Sequence, residues 1–243
     1  MKKLEYPSFK LERNGKFQVK GLQKTSLVDF PPYVSCTLFV SRCNFRCGFC
    51  HNADLVMDSL DDIPEDEIFA FLEKRKKVLD GVCISGGEPL LNEDIINLIK
   101  NIKKLDYKVK VDTNGTNPDL LKKLIDSKLV DYIAMDIKSS LDSYDKAAGV
   151  KVDKSKIKAS VNILMEDNVD YEFRMTTVPN LHSSEEYSKI GNWLKGAKKF
   201  IIQQFRNDKC LDKSFEKIKP YSKKELEEFK GILEKDISKV IVR

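Results

Sequence analysis

Val34-Ser35-Cys36-Thr37-Leu38-Phe39-Val40-Ser41-Arg42-Cys43-Asn44-Phe45-Arg46-Cys47-Gly48-Phe49-Cys50 is an apolar, β-branched run that delivers three cysteines onto one tight loop. Three thiolates can bind three irons of a cubane cluster and leave the fourth iron open, whereas a structural zinc site wants four protein ligands. His51 could complete a Cys3His zinc site, but adjacent positions 50 and 51 close a tetrahedron awkwardly and no second knuckle follows. The C-x3-C-x2-C spacing therefore favours a cluster and leaves zinc as the alternative. Cys36, Cys83 and Cys210 are scattered, and the first two sit in apolar runs where a buried inert thiol is the ordinary state. Six cysteines with no export signal argue for metal or thiol chemistry rather than disulfides.

Outward from this loop, short β-branched runs alternate with longer amphipathic stretches, the pattern of repeated βα units around a parallel sheet or barrel. Six strands are expected, at about 34 to 40, 82 to 85, 107 to 112, 131 to 137, 170 to 177 and 199 to 204. Helices are expected between them, for example over Glu65 to Leu79, Asp94 to Lys104, Pro118 to Lys128 and Ser184 to Lys195. Asn92 before Glu93 and Asp94, and Asn117 before Pro118 and Asp119, carry helix-start chemistry. The expected division is an N-terminal extension over 1–20, a barrel core over 21–215 and a C-terminal helix with an apolar tail over 216–243, all one α/β domain.

Strand alternation adds the faces. Val109 and Val111 oppose Lys110 and Asp112; Ile133, Met135 and Ile137 oppose Ala134, Asp136 and Lys138; Phe173 and Met175 oppose Arg174 and Thr176. An apolar face against helices and a charged face toward an interior suit a wide or incomplete barrel with a ligand in its mouth. Three further segments end strands on the same side: Ser85-Gly86-Gly87-Glu88-Pro89, Asp112-Thr113-Asn114-Gly115 and Met135-Asp136-Ile137-Lys138. Each alone is an ordinary turn, cap or rim ion pair. Together they place a polar cluster where barrel enzymes carry their active sites.

A hydrophobic fraction of 41% with 33% charged residues excludes a disordered chain. The charge of +5, from 43 basic against 38 acidic residues, is too small and dispersed to indicate nucleic acid. No run approaches the roughly 18 to 20 apolar residues of a membrane span, and Met1 to Pro7 lacks a signal-peptide core, so a cytoplasmic protein is expected.

The cysteine loop, Gly-Gly-Glu-Pro, Asp-Thr-Asn-Gly and Met-Asp-Ile-Lys, in this order, resemble the radical S-adenosylmethionine (SAM) superfamily. Gly21 to Phe30 before the cysteines and Cys50-His51-Asn52 after them resemble activating enzymes of glycyl-radical enzymes. Tyr171-Glu172-Phe173-Arg174, Val178-Pro179 with Leu181-His182, and Gln203-Gln204-Phe205-Arg206 extend the likeness to activating proteins of anaerobic ribonucleoside-triphosphate reductases. The resemblance implies a partial (β/α)6 barrel of the radical SAM type. It also implies one 4Fe-4S cluster on Cys43, Cys47 and Cys50, which are then both metal ligands and the catalytic centre, and S-adenosylmethionine on the open iron.

By the same resemblance Gly86, Gly87 and Glu88 match the segment that receives the cofactor's amino group, and Phe49 the aromatic beside adenine. Asp112, Thr113, Met135 and Asp136 match residues lining the cofactor and a monovalent cation, while Lys138 and Arg174 would face the carboxylate or ribose. The implied reaction is reductive cleavage of S-adenosylmethionine to a 5'-deoxyadenosyl radical, which removes hydrogen from a glycine of a partner glycyl-radical enzyme. A flavodoxin or ferredoxin is the implied electron donor. The absence of a cysteine-rich insert or tail fits one cluster. The competing readings are a small-molecule enzyme resembling 7-carboxy-7-deazaguanine synthase, for which no dedicated substrate pocket is evident, and a zinc or electron-transfer protein. The last leaves Gly86 to Glu88 and Asp136 to Lys138 without a role.

Overall fold

The computed structural model describes residues 18–243; most of the expected extension over 1–20 lies outside them. Its last residues already belong to the sheet, because β1 (Val19–Ser26) pairs antiparallel with β2 (Ser35–Val40). After the cysteine loop come α1 (Ala53–Val56), α2 (Glu65–Arg75), β3 (Gly81–Gly86), α3 (Ile95–Lys104), β4 (Lys108–Thr113), α4 (Pro118–Asp126) and β5 (Tyr132–Asp136). Then follow α5 (Tyr144–Ala148), α6 (Lys154–Met165), β6 (Asp170–Thr177), α7 (Ser184–Trp193), β7 (Phe200–Gln204), α8 (Lys223–Leu233) and β8 (Val240–Val242). All six strands expected from periodicity are present, within a residue or two of their expected ends.

The eight strands form one sheet in chain order, parallel from β2 to β8. With no reversal of order, every right-handed crossover lands on the same face, so the helices share one side and the sheet curls away from them. The edges β1 and β8 do not pair, which leaves the curl incomplete. The tail over 216–243 is more than a cover: β8 extends the sheet, with Val240 opposite Phe200. A three-residue strand is too short to declare itself by alternation.

The helix-side face is the core. Val109, Val111, Ile133, Met135, Phe173 and Met175 are buried, and α3 and α4 bring Ile95, Leu98, Ile99 and Ile102 and then Leu120, Leu121, Leu124 and Ile125 against it. Those positions recur at the three- and four-residue spacing of one helix face. Asn117 caps α4 by accepting the Leu120 N–H, with Pro118 at the first turn, and Ser222 with Glu225 forms a capping box on α8. At α3 the helix starts later than the sequence suggests. Asp94 is its cap residue, and Asn92 instead accepts the Asp94 N–H in a turn.

The end of α5 ties this scaffold to the cysteine loop. Arg46 N–H donates to the Ala148 carbonyl at 2.8 Å, and the next residue, Gly149, turns with φ of +71° so close that a Cβ there would lie 2.0 Å from the Arg46 carbonyl oxygen. Gly149→Ala combines left-handed strain with a backbone clash and is expected to cost about 2 kcal/mol or more. Urea unfolding of the variant checks this; an unchanged midpoint would show that the contact is slack.

Candidate active site

A cavity of about 470 Å³ opens at the carboxyl ends of the parallel strands. The loop after β2 supplies Cys43, Cys47, Phe49 and Cys50; the turn after β3 supplies Gly86, Gly87 and Glu88; β4 supplies Asp112 and Thr113. Asp136 and Lys138 come from β5 and its end, and Arg174 from β6. Met135 does not join them. Alternation turns Asp136 inward and Met135 outward, where its methyl group lies 2.1 Å from the position a Cβ on Gly115 would take, so its side chain packs in the core. The structure adds Asp29, Asn52, Asn114, Thr176 and Gln203 to the lining.

The cysteine loop is held from several sides. Cys50 N–H donates to the Cys47 carbonyl at 3.0 Å, and the Arg46 guanidinium folds back onto the Cys43 and Phe45 carbonyls at 2.6 and 2.7 Å. The chain after β7 crosses it as a strap, with Leu211 and Asp212 N–H groups donating to the Cys50 and Gly48 carbonyls, each at 2.9 Å. Phe215 of the strap sits on Gly48, where a Cβ would lie 2.3 Å from the ring. Asn52 reaches the other way and donates to the Gly86 carbonyl at 3.1 Å.

All three thiols are free, and burial pushes Cys43 up to about 12 and Cys47 to about 11, with Cys50 raised for the same reason. Metal binding here must therefore displace protons. His51 is engaged elsewhere: its Nε2 pairs with the Arg206 carbonyl at 2.7 Å and its ring stacks on Phe205. Among the described residues no three His, Cys, Asp or Glu side chains converge on one ion position. Three soft sulfur donors spread over one loop on the wall of a cavity suit a multi-iron group with a vacant coordination site better than one zinc ion.

Below the thiols the charged strand face forms a ladder. Lys110 Nζ meets Asp112 at 2.7 Å, Arg174 meets Asp112 at 3.1 Å and Asp136 at 2.9 Å, and Lys138 meets Asp136 at 3.3 Å. Burial alone would raise the Asp112 carboxyl, but Arg174 and then Lys110 outweigh it and hold it down to about 2. Asp136 is likewise lowered against its burial, by Arg174 and then Lys138. Three cations against two carboxylates leave one positive charge in the ladder. Lys138, raised by Asp136 and the neighbouring thiols despite burial, carries it toward the cysteines.

Glu88 is 3% exposed and accepts from Leu90 N–H at 3.0 Å, Thr113 Oγ1 at 2.7 Å and Asn114 N–H at 2.6 Å. Burial pushes it up to about 7 although these donors favour the anion. It fastens the turn after β3 to the end of β4.

His182 lies outside the motifs that mark the site in the sequence, yet it joins four elements. Val178 N–H donates to its Nδ1 at 2.9 Å, which leaves the proton on Nε2 to be donated to the Lys138 carbonyl at 2.7 Å. Phe49 meets its ring edge-on, and Tyr221 Oη donates to its carbonyl at 2.9 Å. Its partners are distant in sequence, so only the dipeptide Leu181-His182 marked it.

These features coincide with the superfamily described as Radical SAM, whose model matches residues 37–187. The chain belongs to the radical SAM superfamily. It is 33% identical over 230 residues to the Methanocaldococcus jannaschii protein named "Putative glycyl-radical enzyme activating enzyme MJ1227", covering 93% of this chain and 95% of that one. A GTP 3',8-cyclase of Staphylococcus saprophyticus is 34% identical over 139 residues, 54% of this chain but 39% of that protein. Streptococcus suis SuiB superposes with a TM-score of 0.62 at 19% identity over 84% of this chain and 47% of its own. A domain of pyruvate-formate lyase-activating enzyme from Bacteroides vulgatus gives 0.55 at 16% identity, over 67% and 98% of the two chains. This is a radical SAM enzyme, and the superfamily supplies the iron-sulfur cluster and S-adenosylmethionine that the residues suit.

Two variants probe the site's framework. Arg174→Met leaves Asp112 with Lys110 and Asp136 with Lys138 but removes the cation they share, and is expected to destabilise the protein by roughly 2 to 3 kcal/mol, with Arg174→Lys intermediate because one amine cannot reach both carboxylates. Urea denaturation of both variants measures it.

Burial holds His182 at about 4, below its unfolded value near 6.5, so the unfolded chain binds more protons between those limits. The stabilisation is whole above pH 6.5 and falls as the pH drops toward 4, by on the order of 3 kcal/mol in all. The urea midpoint of His182→Gln should accordingly change less between pH 7.5 and 5 than that of the wild type; equal slopes would rule out this proton linkage.

Proposed function

We propose that this enzyme generates a glycyl radical on a partner protein, and that the partner is an anaerobic ribonucleoside-triphosphate reductase. The observation that carries the activating role is the 33% identity to the M. jannaschii activating-enzyme relative across 93% of this chain and 95% of that protein. The likeness of Gly21 to Phe30, Tyr171 to Arg174 and Gln203 to Arg206 favours the reductase as partner. The incomplete curl of the sheet supports a polypeptide substrate, because a loop of another protein needs an accessible mouth.

When bound at Cys43, Cys47 and Cys50, the cluster with S-adenosylmethionine supplies one-electron reduction and a carbon-centred radical. The chain's own residues place the cofactor. Gly87 N–H and Glu88 N–H donate to the Val40 and Arg42 carbonyls at 2.9 and 2.7 Å, which seats the glycine turn against the cysteine loop. A Cβ on Gly87 would lie 1.8 Å from the Arg42 carbonyl oxygen, so only glycine permits this approach. Its carbonyls and Glu88 offer acceptors to the cofactor's ammonium. The spare positive charge at Lys138 suits its carboxylate, and Arg174 is within the same wall for carboxylate or ribose.

Phe49, packed between His182 and Phe215, presents a fixed ring for adenine. Asp112, Thr113 and Asp136 form the wall on which a monovalent cation would rest. Buried side chains around the mouth keep water from a reactive carbon centre. A flavodoxin or ferredoxin is the fitting electron source for a chain with one cysteine loop, in the cytoplasm.

Anaerobic reconstitution with iron, sulfide and S-adenosylmethionine, followed by incubation with candidate glycyl-radical enzymes from the same genome, tests the reading. A doublet glycyl-radical signal on the reductase is expected. Cofactor cleavage without a signal on any candidate would refute the activating role. Cys47→Ala should lose the cluster absorbance and reduce cleavage to background.

A further inference from the structure

Asn114 is 4% exposed at the end of β4, and every polar atom of its side chain has an assigned task. Its Oδ1 accepts from the Thr116 N–H at 3.0 Å and from Thr116 Oγ1 at 2.7 Å. That fixes the amide's orientation, so its NH2 group faces the cysteine loop. One N–H donates to Asn44 Oδ1 at 2.8 Å. Asn44 in turn donates through its own Nδ2 to Thr116 Oγ1 at 2.9 Å, which closes a ring of three side chains. Within this ring each group has one possible role, since the Thr116 hydroxyl must receive from Asn44 and give to Asn114. The same Asn114 Nδ2 lies 3.9 Å from Cys43 Sγ, so its second N–H is the one left to be donated to that sulfur. The backbone N–H of the same residue is held by Glu88 at 2.6 Å, so the donor cannot swing away.

We propose that Asn114 is a positioning residue that raises the reduction potential of the group held by Cys43, through an amide N–H locked toward that sulfur by the Asn44–Thr116 ring. The inference rests on the reading that Cys43 binds an iron of the cluster. One-electron reduction adds one negative charge, shared with the ligating sulfurs. A fixed donor dipole aimed at one of them stabilises the more negative state, and hydrogen bonds to sulfur are among the means by which proteins tune such centres. A ring whose members polarise one another holds that dipole better than a lone amide would. Backbone N–H groups also reach the sulfurs, Phe45 N–H lying 3.4 Å from Cys43 Sγ, but among the described residues Cys47 and Cys50 have no side-chain amide donor, so Cys43 is the corner where a substitution can remove one.

The test is a dithionite titration of reconstituted protein followed by electron paramagnetic resonance, comparing wild type with Asn114→Leu, Thr116→Val and Thr116→Ser. The midpoint should move to more negative potential in Asn114→Leu. It should move the same way by less in Thr116→Val, where the amide keeps the backbone N–H of residue 116 and Asn44 as partners but loses the hydroxyl that closes the ring, and stay in place in Thr116→Ser, which keeps the ring. Thr116→Val leaves Asn114 intact and decides the matter if Asn114→Leu fails to fold or load. Loaded variants with an unshifted midpoint overturn the inference, and a lowered melting temperature alone would then mark a purely structural residue. A wild-type protein that takes up no cluster overturns the underlying reading instead.

Discussion

Arg174, shared between Asp112 and Asp136, is the interaction on which the interior depends. A carboxylate removed from water is tolerated only when its charge is met by a cation and its lone pairs by donors. Here two carboxylates project from neighbouring strands into one lumen, and a single guanidinium two strands from β4 can span both because its fork presents several donors in one plane. Lys110 and Lys138 extend the alternation of sign at either end. Without it, the inward face of β4, β5 and β6 would have to be apolar, and an apolar lumen would fill with side chains as small barrels do. The polar cavity is therefore a consequence of the ladder.

The same arrangement explains why the cysteine loop needs so many outside supports. In this loop of eight residues the Phe45 and Phe49 rings are buried, but burying them leaves the backbone polar groups between them to be satisfied from outside. Its backbone is pinned by neighbours: α5 through Arg46, the strap through Gly48 and Cys50, and Glu88 N–H through the Arg42 carbonyl that precedes it. Asn44 links it to the end of β4. Each contact comes from a different strand end, so the geometry of the three sulfurs is set by the curvature of the whole sheet. Glycines at 48, 87 and 149 are the places where this convergence leaves no room for a side chain.

Much of this was readable from residue order. Period-two alternation in Val109 to Asp112, Ile133 to Lys138 and Phe173 to Thr176 located both the strands and the charged face, because one face of a strand meets helices and the other does not. The cavity-lining residues are legible because they end strands that alternation locates. Met135 failed for the same physical reason: motif likeness grouped it with Asp136, while alternation sends adjacent side chains to opposite faces. The strap was invisible, since Leu211 and Asp212 act through backbone N–H groups that any residue would offer. His182 was nearly so, because its partners Lys138, Val178 and Tyr221 meet it only in the folded chain.

The open edge of the sheet gives the molecule its remaining logic. Closing a barrel removes exposed strand edges, and this chain leaves β1 and β8 unpaired with each other. β1 runs antiparallel, so its far end approaches the cavity side through Val19 opposite Val40 rather than continuing the parallel curl. β8 is only three residues long. A reversed strand at one edge and a three-residue strand at the other stop the parallel curl. The cavity over Cys43, Cys47 and Cys50 lies within this incomplete curl, so the devices that end the sheet are also the ones that keep it from closing around that cavity.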